Sequence, residues 1–185
     1  MCHYDSMKEH LIEIETHLQE DMLPFALQIE QLNTIYGIST TASCAIIAEI
    51  GTDMKPFKTA EHICSWAGLC PGNNESAQKR KTGKMRKGNA LLRSTLVVCA
   101  HSATRNKNSY FYAQFMRISS HRGKKRAYVA VAHSMLIAIY HILKDGVVFK
   151  DLGADYYNQF NMERKINAYL KKLKALGWEV PVVAA

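Results

Sequence analysis

Leu32-Asn33-Thr34-Ile35-Tyr36-Gly37-Ile38-Ser39-Thr40-Thr41, followed by the small and apolar run from Ala42 to Ile50, is the stretch that decides the fold class. Tyr36 to Thr41 reads as a tight turn stocked with helix-capping side chains, and 42–50 as a short apolar helix that Gly51 ends as a C′ residue. Upstream, apolar residues fall at Leu11, Ile14, Leu18, Met22, Phe25, Ile29 and Leu32. The steps of three and four predict one long, coiled-coil-like helix with a stutter. Pro24 lies inside it and predicts a bend, because an interior proline costs about 3 kcal/mol. Downstream, helical periodicity recurs over 89–104, 109–118, 125–144 and 156–176, with Thr59 capping a further short helix to about Gly68. Val147-Val148-Phe149 is the sole strand-like run and is too short to found a sheet. The class is mainly α: a long N-terminal helix over 1–33, a compact helical domain over 34–157 and a C-terminal helix and tail over 158–185.

Charge is distributed unevenly. The 185 residues carry a formal net charge of +8. Residues 1–75 hold three Lys or Arg against eleven Asp or Glu, whereas residues 76–144 hold fifteen Lys or Arg and no carboxylate. Solvated surfaces ordinarily mix the two signs, so this segment implies a polyanionic partner, with nucleic acid the default. An anionic membrane would call for a basic amphipathic helix, but Gly83 and Gly88 interrupt the densest cluster. No apolar run of the roughly 18 residues needed to span a membrane is expected, nor is a secretory leader. Five cysteines without framework spacing point to reduced thiols in a cytoplasm.

Three constellations carry chemistry. Leu32-x-x-Ile35-x-Gly37-Ile38-Ser39 resembles a helix-hairpin-helix element, in which backbone N–H groups at a helix N-terminus hold a DNA phosphate. Ser39 replaces the second glycine of that pattern, and a plain helical hairpin stays open as the other reading. Residues 71–93 form a basic loop in which Ser76 is followed by Lys79, Arg80, Lys81, Lys84, Arg86, Lys87 and Arg93, with Gly83 and Gly88 allowing close approach of a ligand. Arg122, Lys124, Lys125 and Arg126 make a second basic turn before a helix. Their charge opposes the helix dipole unless an anion relieves it. His62, Cys64 and Cys70 lack a fourth ligand at metal-site spacing, so no metal is expected. His133 and His141 read as core or groove residues, and the group Tyr110, Phe111, Tyr112 and Phe115 as core. The N-terminal stripe fits two packings, onto its own domain or onto a second copy of the chain. The second gives a homo-oligomer.

From Ser65-Trp66-Ala67-Gly68-Leu69-Cys70-Pro71-Gly72-Asn73-Asn74-Glu75-Ser76 through Lys79-Arg80-Lys81-Thr82-Gly83-Lys84-Met85-Arg86-Lys87-Gly88-Asn89, a family resemblance becomes specific. It continues at Arg122–Ala127, Val131–Ser134 and Asp151–Tyr156. The chain resembles, over about 32–157, the C-terminal transposase domain of bacterial insertion-sequence recombinases. These join a RuvC-like N-terminal half to a serine-bearing C-terminal half and are guided by a bridge RNA. The resemblance implies DNA as partner, a guide RNA as a second partner, and Ser76 as the nucleophile that attacks a phosphodiester. Phosphodiesters repel nucleophiles until cations neutralise them, and the seven cations after Ser76 supply that field. Two departures stand out. Gln78 occupies a position where relatives usually carry glycine, which stiffens the loop. The four acidic residues with which a RuvC-like half holds Mg2+ do not precede the first helix, so no cofactor is expected on this chain. The chain reads as a truncated or separately encoded piece, either enzymatic together with its other half or a catalytically inactive DNA- or RNA-binding remnant.

If about six phosphates of duplex DNA are contacted, log K should fall with log salt at a slope of roughly −5. Titration of a fluorescent duplex across salt concentrations checks this, and an almost flat response removes the basic-surface reading.

Overall fold

The computed structural model describes residues 2–70, 75–76, 79–80 and 87–177. Helix α1 spans Cys2–Met22, and a single 3-10 turn, Leu23–Phe25, separates it from α2, Ala26–Asn33. The break falls at Pro24 because proline has no N–H to donate and its ring clashes with the preceding turn. The stripe divides at the same point. Leu11, Ile14 and Leu18 are 59%, 63% and 41% exposed, whereas Ile29 and Leu32 are 9% and 0% exposed. Met22 and Phe25 are half-buried between the two regimes and pack on the core. Within this chain, then, α1 leaves Leu11, Ile14 and Leu18 to solvent, whereas Ile29 and Leu32 of α2 belong to the core.

Helices α3 (Thr40–Ile50), α4 (Ala60–Trp66), α5 (Ala90–Ala103) and α6 (Tyr110–Arg122) begin with the same local device. Ser39, Thr59, Asn89 and Ser109 sit at their N-caps, and each side chain accepts a hydrogen bond from the N–H three residues on. Each such bond satisfies a backbone donor that the helix cannot, at about 1 kcal/mol per cap. Helix α7 (Lys124–Asp145) runs from the turn at Gly123 to Gly146, whose left-handed conformation closes it. The last helix, α8, is Tyr156–Ala175.

Helix α7 is the centre of the domain. It packs against α2, α4, α5 and α6. Val131, Ala132, Met135, Leu136 and Ile139 are fully buried along it, at the three- and four-residue spacing of one helix face. Tyr140 is buried with them, and its hydroxyl donates to the carbonyl oxygens of Phe57 (3.0 Å) and Lys58 (3.2 Å), at the entry to α4. By length and composition α7 is apolar enough to cross a membrane, which corrects the expectation that no such run exists. Its apolar face is covered by neighbouring helices of the same chain.

Val147–Phe149 forms no strand, in keeping with its shortness. Two further expectations are corrected. Strand pairing occurs inside the segment read as an exposed loop, where β1 (Glu75–Ser76) runs antiparallel to β2 (Lys79–Arg80). The second basic turn, 119–126, is mostly helix. Helix α6 continues through His121 and Arg122, where basic side chains complement the negative end of the dipole, and α7 begins directly after Gly123.

Candidate nucleic-acid interface

The basic loop is closed at its base. On the entry side, α4 ends at Trp66 and the chain doubles back, with the Leu69 N–H donating to the Cys64 carbonyl at 3.0 Å. On the return side, Gly88 lies flat on that same turn. A Cβ at position 88 would sit 2.5 Å from the Gly68 nitrogen and 2.6 Å from the Ala67 carbonyl carbon, both rigid backbone. The next residue fastens the contact twice. The Asn89 N–H donates to the Trp66 carbonyl at 3.4 Å, and the Asn89 amide donates to the Glu49 carboxylate of α3. The Asn89 side-chain oxygen meanwhile caps α5 by accepting from the Leu92 N–H at 2.9 Å. Entry and exit of the loop are therefore held against α3, α4 and the start of α5.

Between these points, Ser76 pairs with Lys79 and Glu75 with Arg80 across the two-stranded ladder. Of the loop's candidate residues, Ser76, Lys79 and Arg80 are described as backbone only, and Lys81, Lys84 and Arg86 lie outside the described residues, as does Gln78. Lys87 is exposed, and Arg93 is half-buried in the first turn of α5.

The turn between α2 and α3 carries Gly37 and Ser39. Gly37 has φ +87°, a conformation that side-chain-bearing residues rarely adopt. Its α-carbon also faces the C-terminal turn of α5, where a Cβ would lie 2.5 Å from the Cys99 carbonyl oxygen. The Ser39 hydroxyl is already committed to the Ala42 N–H. Asn33 laces the hairpin, donating to the Thr40 hydroxyl (3.2 Å) and accepting from the Ser43 hydroxyl (2.8 Å). Arg122, Lys124, Lys125 and Arg126 are all exposed around Gly123, and among the described residues no carboxylate pairs with any of them.

Helix α5 separates these candidates into two groups. The serine loop returns at its N-terminal end, whereas the Gly37 turn reaches its C-terminal end. The first residues of α7 lie at that C-terminal end too, since Tyr128 packs on His101 with ring centroids 5.2 Å apart. Fourteen residues of α helix are about 21 Å long, the rise of about six nucleotide steps along one DNA strand.

The titratable groups where α4 meets α7 are quiet. Burial pushes the Cys64 thiol up to about 12, so it stays protonated, and its sulfur donates to the His133 carbonyl at 3.8 Å. Burial also pushes His133 below the usual histidine range, against the opposing pull of Glu61. Glu61 is held low by its own backbone N–H and the Thr59 hydroxyl at the start of α4. Cys70 lies beside the Glu61 carbonyl at 4.0 Å, and His62 is exposed against Phe57. Among the described residues no three His, Cys, Asp or Glu side chains converge as a metal site.

Several positioning residues escaped sequence reasoning. Glu49 reaches Asn89 across 40 positions. Asp151 accepts from the Tyr110 N–H at 2.9 Å and the Gly153 N–H at 2.8 Å, so the Asp151–Tyr156 motif places a carboxylate at the positive start of α6. Tyr157 then donates to the Tyr110 hydroxyl at 2.6 Å, with the Arg117 guanidinium 4.9 Å from the Tyr157 ring centre. Phe111 is buried, and Tyr110 and Phe115 are half-buried against the core, as their apolar spacing suggested.

Gly88→Ala should cost about 1–3 kcal/mol, the usual range for overpacking against atoms that cannot yield. The denaturation midpoint reads this, and an unchanged midpoint would show that the loop base is not held on Gly68.

Residues 29–116 match the model of a family described as Transposase IS116/IS110/IS902 family. That span starts at the first core residue of α2, contains the whole basic loop and ends within α6. No curated protein matches the chain. Residues 29–116 are thus similar to a family of transposases.

Proposed function

We propose that this chain is a DNA-binding transposase domain that cuts and rejoins strands of an insertion sequence through Ser76. The observation that carries the reading is the similarity of 29–116 to transposases, with Ser76 at the head of a fifteen-cation segment free of carboxylates. In the step, the Ser76 Oγ–phosphorus bond forms while one ester bond from phosphorus to deoxyribose oxygen breaks. The serine proton leaves to a base and the departing oxygen gains one. Because the phosphoserine ester keeps the bond energy, attack by a deoxyribose hydroxyl reverses the step and joins strands without ATP. Lys79, Arg80, Lys81, Lys84, Arg86, Lys87 and Arg93 neutralise the developing phosphorane charge. Gly37, Ser39, Arg122, Lys124, Lys125 and Arg126 hold flanking backbone. On this reading Mg2+ and its four carboxylates come from a RuvC-like half, a guide RNA selects the site, and the protein acts in the cytoplasm.

The exposed Leu11, Ile14 and Leu18 support a further part of the reading, the pairing of α1 with a second α1. Ile14→Asp should then lower the mass measured by light scattering. An unchanged mass removes the self-association.

Trapping of a covalent protein–DNA adduct, with a RuvC-like half supplied in trans, tests the chemistry. Wild type should form it and Ser76→Ala should not. DNA affinity should stay within a factor of about three, since one neutral hydrogen bond contributes only about 0.5–1.5 kcal/mol. An adduct in Ser76→Ala places the nucleophile elsewhere. No adduct from either protein leaves a catalytically inactive nucleic-acid-binding remnant.

A further inference from the structure

Three rings pack together, with Tyr128 shared by both contacts, at the corner where α5, α6 and α7 meet. Phe115 of α6 and Tyr128 of α7 stack with centroids 4.6 Å apart and planes 29° apart. His101, in the last turn of α5, also packs on Tyr128, at 5.2 Å with a 51° tilt. One end is sealed, because Phe115 packs on the hydrophobic core. The other is open, because His101 is exposed. A ring cluster that only fills space is expected to end inside the protein, where burying its faces is favourable. This one ends in solvent on a flat polar ring.

The helices that carry Phe115 and Tyr128 also carry uncompensated cations. Lys124 and Lys125 precede Tyr128 by four and three residues on α7, which sets them on the same side of the helix. Arg122 follows Phe115 by seven residues on α6, again on one side. All three are exposed, and the segment from 76 to 144 offers them no carboxylate. The first turn of α7 has no acidic residue and no side-chain cap, so its backbone donors add to the positive field there.

We propose that this corner binds an unpaired nucleotide, with the base stacked on His101 at the open end of the ring cluster and the flanking phosphates held by Arg122, Lys124 and Lys125. The site rests on the nucleic-acid reading above and sharpens it. Cations alone hold duplex and single strand alike through their phosphates. A ring face takes a base that is not already stacked and paired, whatever its identity. The corner therefore favours strand separation next to the bound duplex, and it does so at the opposite end of α5 from the serine loop.

The test uses the full chain with three short probes: a single-stranded DNA carrying 2-aminopurine, the same sequence as RNA, and the DNA duplex. His101→Ala alters an exposed side chain with no bond to the fold. It should weaken single-strand binding about tenfold, the scale of one lost base stack. It should abolish the quenching of 2-aminopurine and leave duplex affinity within about twofold. Tyr128→Leu should act the same way and Tyr128→Phe should not, which separates loss of the ring from a fault in folding. Arg122→Ala should weaken all probes. Losses confined to DNA or to RNA support the site and identify which strand it takes. Unchanged single-strand affinity and quenching in His101→Ala overturn the site, as does an equal loss on duplex. If the wild-type chain binds none of the probes, the nucleic-acid reading itself fails.

Discussion

The buried face of α7 is the constraint on which the rest of the structure depends. Val131, Met135, Leu136 and Ile139 are fully removed from water, and four other helices pack against the helix that carries them. Burying apolar side chains of this size contributes roughly 1.5–3 kcal/mol each, so α2, α4, α5 and α6 are held by their contact with one central rod. Tyr140 extends that control beyond the apolar core, because its hydroxyl fixes the carbonyl groups leading into α4. The end of α4 in turn forms the turn on which Gly88 rests.

This arrangement lets a loop dense in like charge exist on a stable domain. Like charges at Lys79, Arg80, Lys87 and their neighbours repel one another, but the contacts that fasten the loop base involve none of these cations. They are backbone contacts at Gly68 and Gly88, a carbonyl bond at Trp66, and an amide held by Glu49. The anchoring carboxylate comes from α3, which lies outside the carboxylate-free segment. One carboxylate of the acidic first part of the chain thus helps to position the base of the basic loop through a neutral amide, without pairing with its cations.

Helix α5 gives the proposed interface its scale. Its N-terminus receives the serine loop, and its C-terminus meets both the Gly37 turn and the start of α7. A ligand touching both ends follows a straight path of about 21 Å, too long for one phosphate and suited to a run of backbone. The similarity to transposases and the charge pattern favour the same class of partner.

The sequence by itself determined the features that depend on near neighbours. Ser39, Thr59, Asn89 and Ser109 start helices because each bonds to an N–H three residues away, and Pro24 interrupts one because its ring clashes within a single turn. The carboxylate-free basic segment was equally legible, since it needs only a count of charges. Tertiary structure alone decided the rest. The stripe from Leu11 to Leu32 has one periodicity, yet only its second half is buried, because periodicity gives a face and not the surface that covers it. Arg122 looked like part of a turn and lies in α6, where the negative helix end accommodates it. Glu49 with Asn89, Asp151 with Tyr110, and His101 with Tyr128 are pairs separated by 27 to 41 positions. Local pattern cannot specify such pairs, because their geometry exists only after α7 has gathered the helices around it.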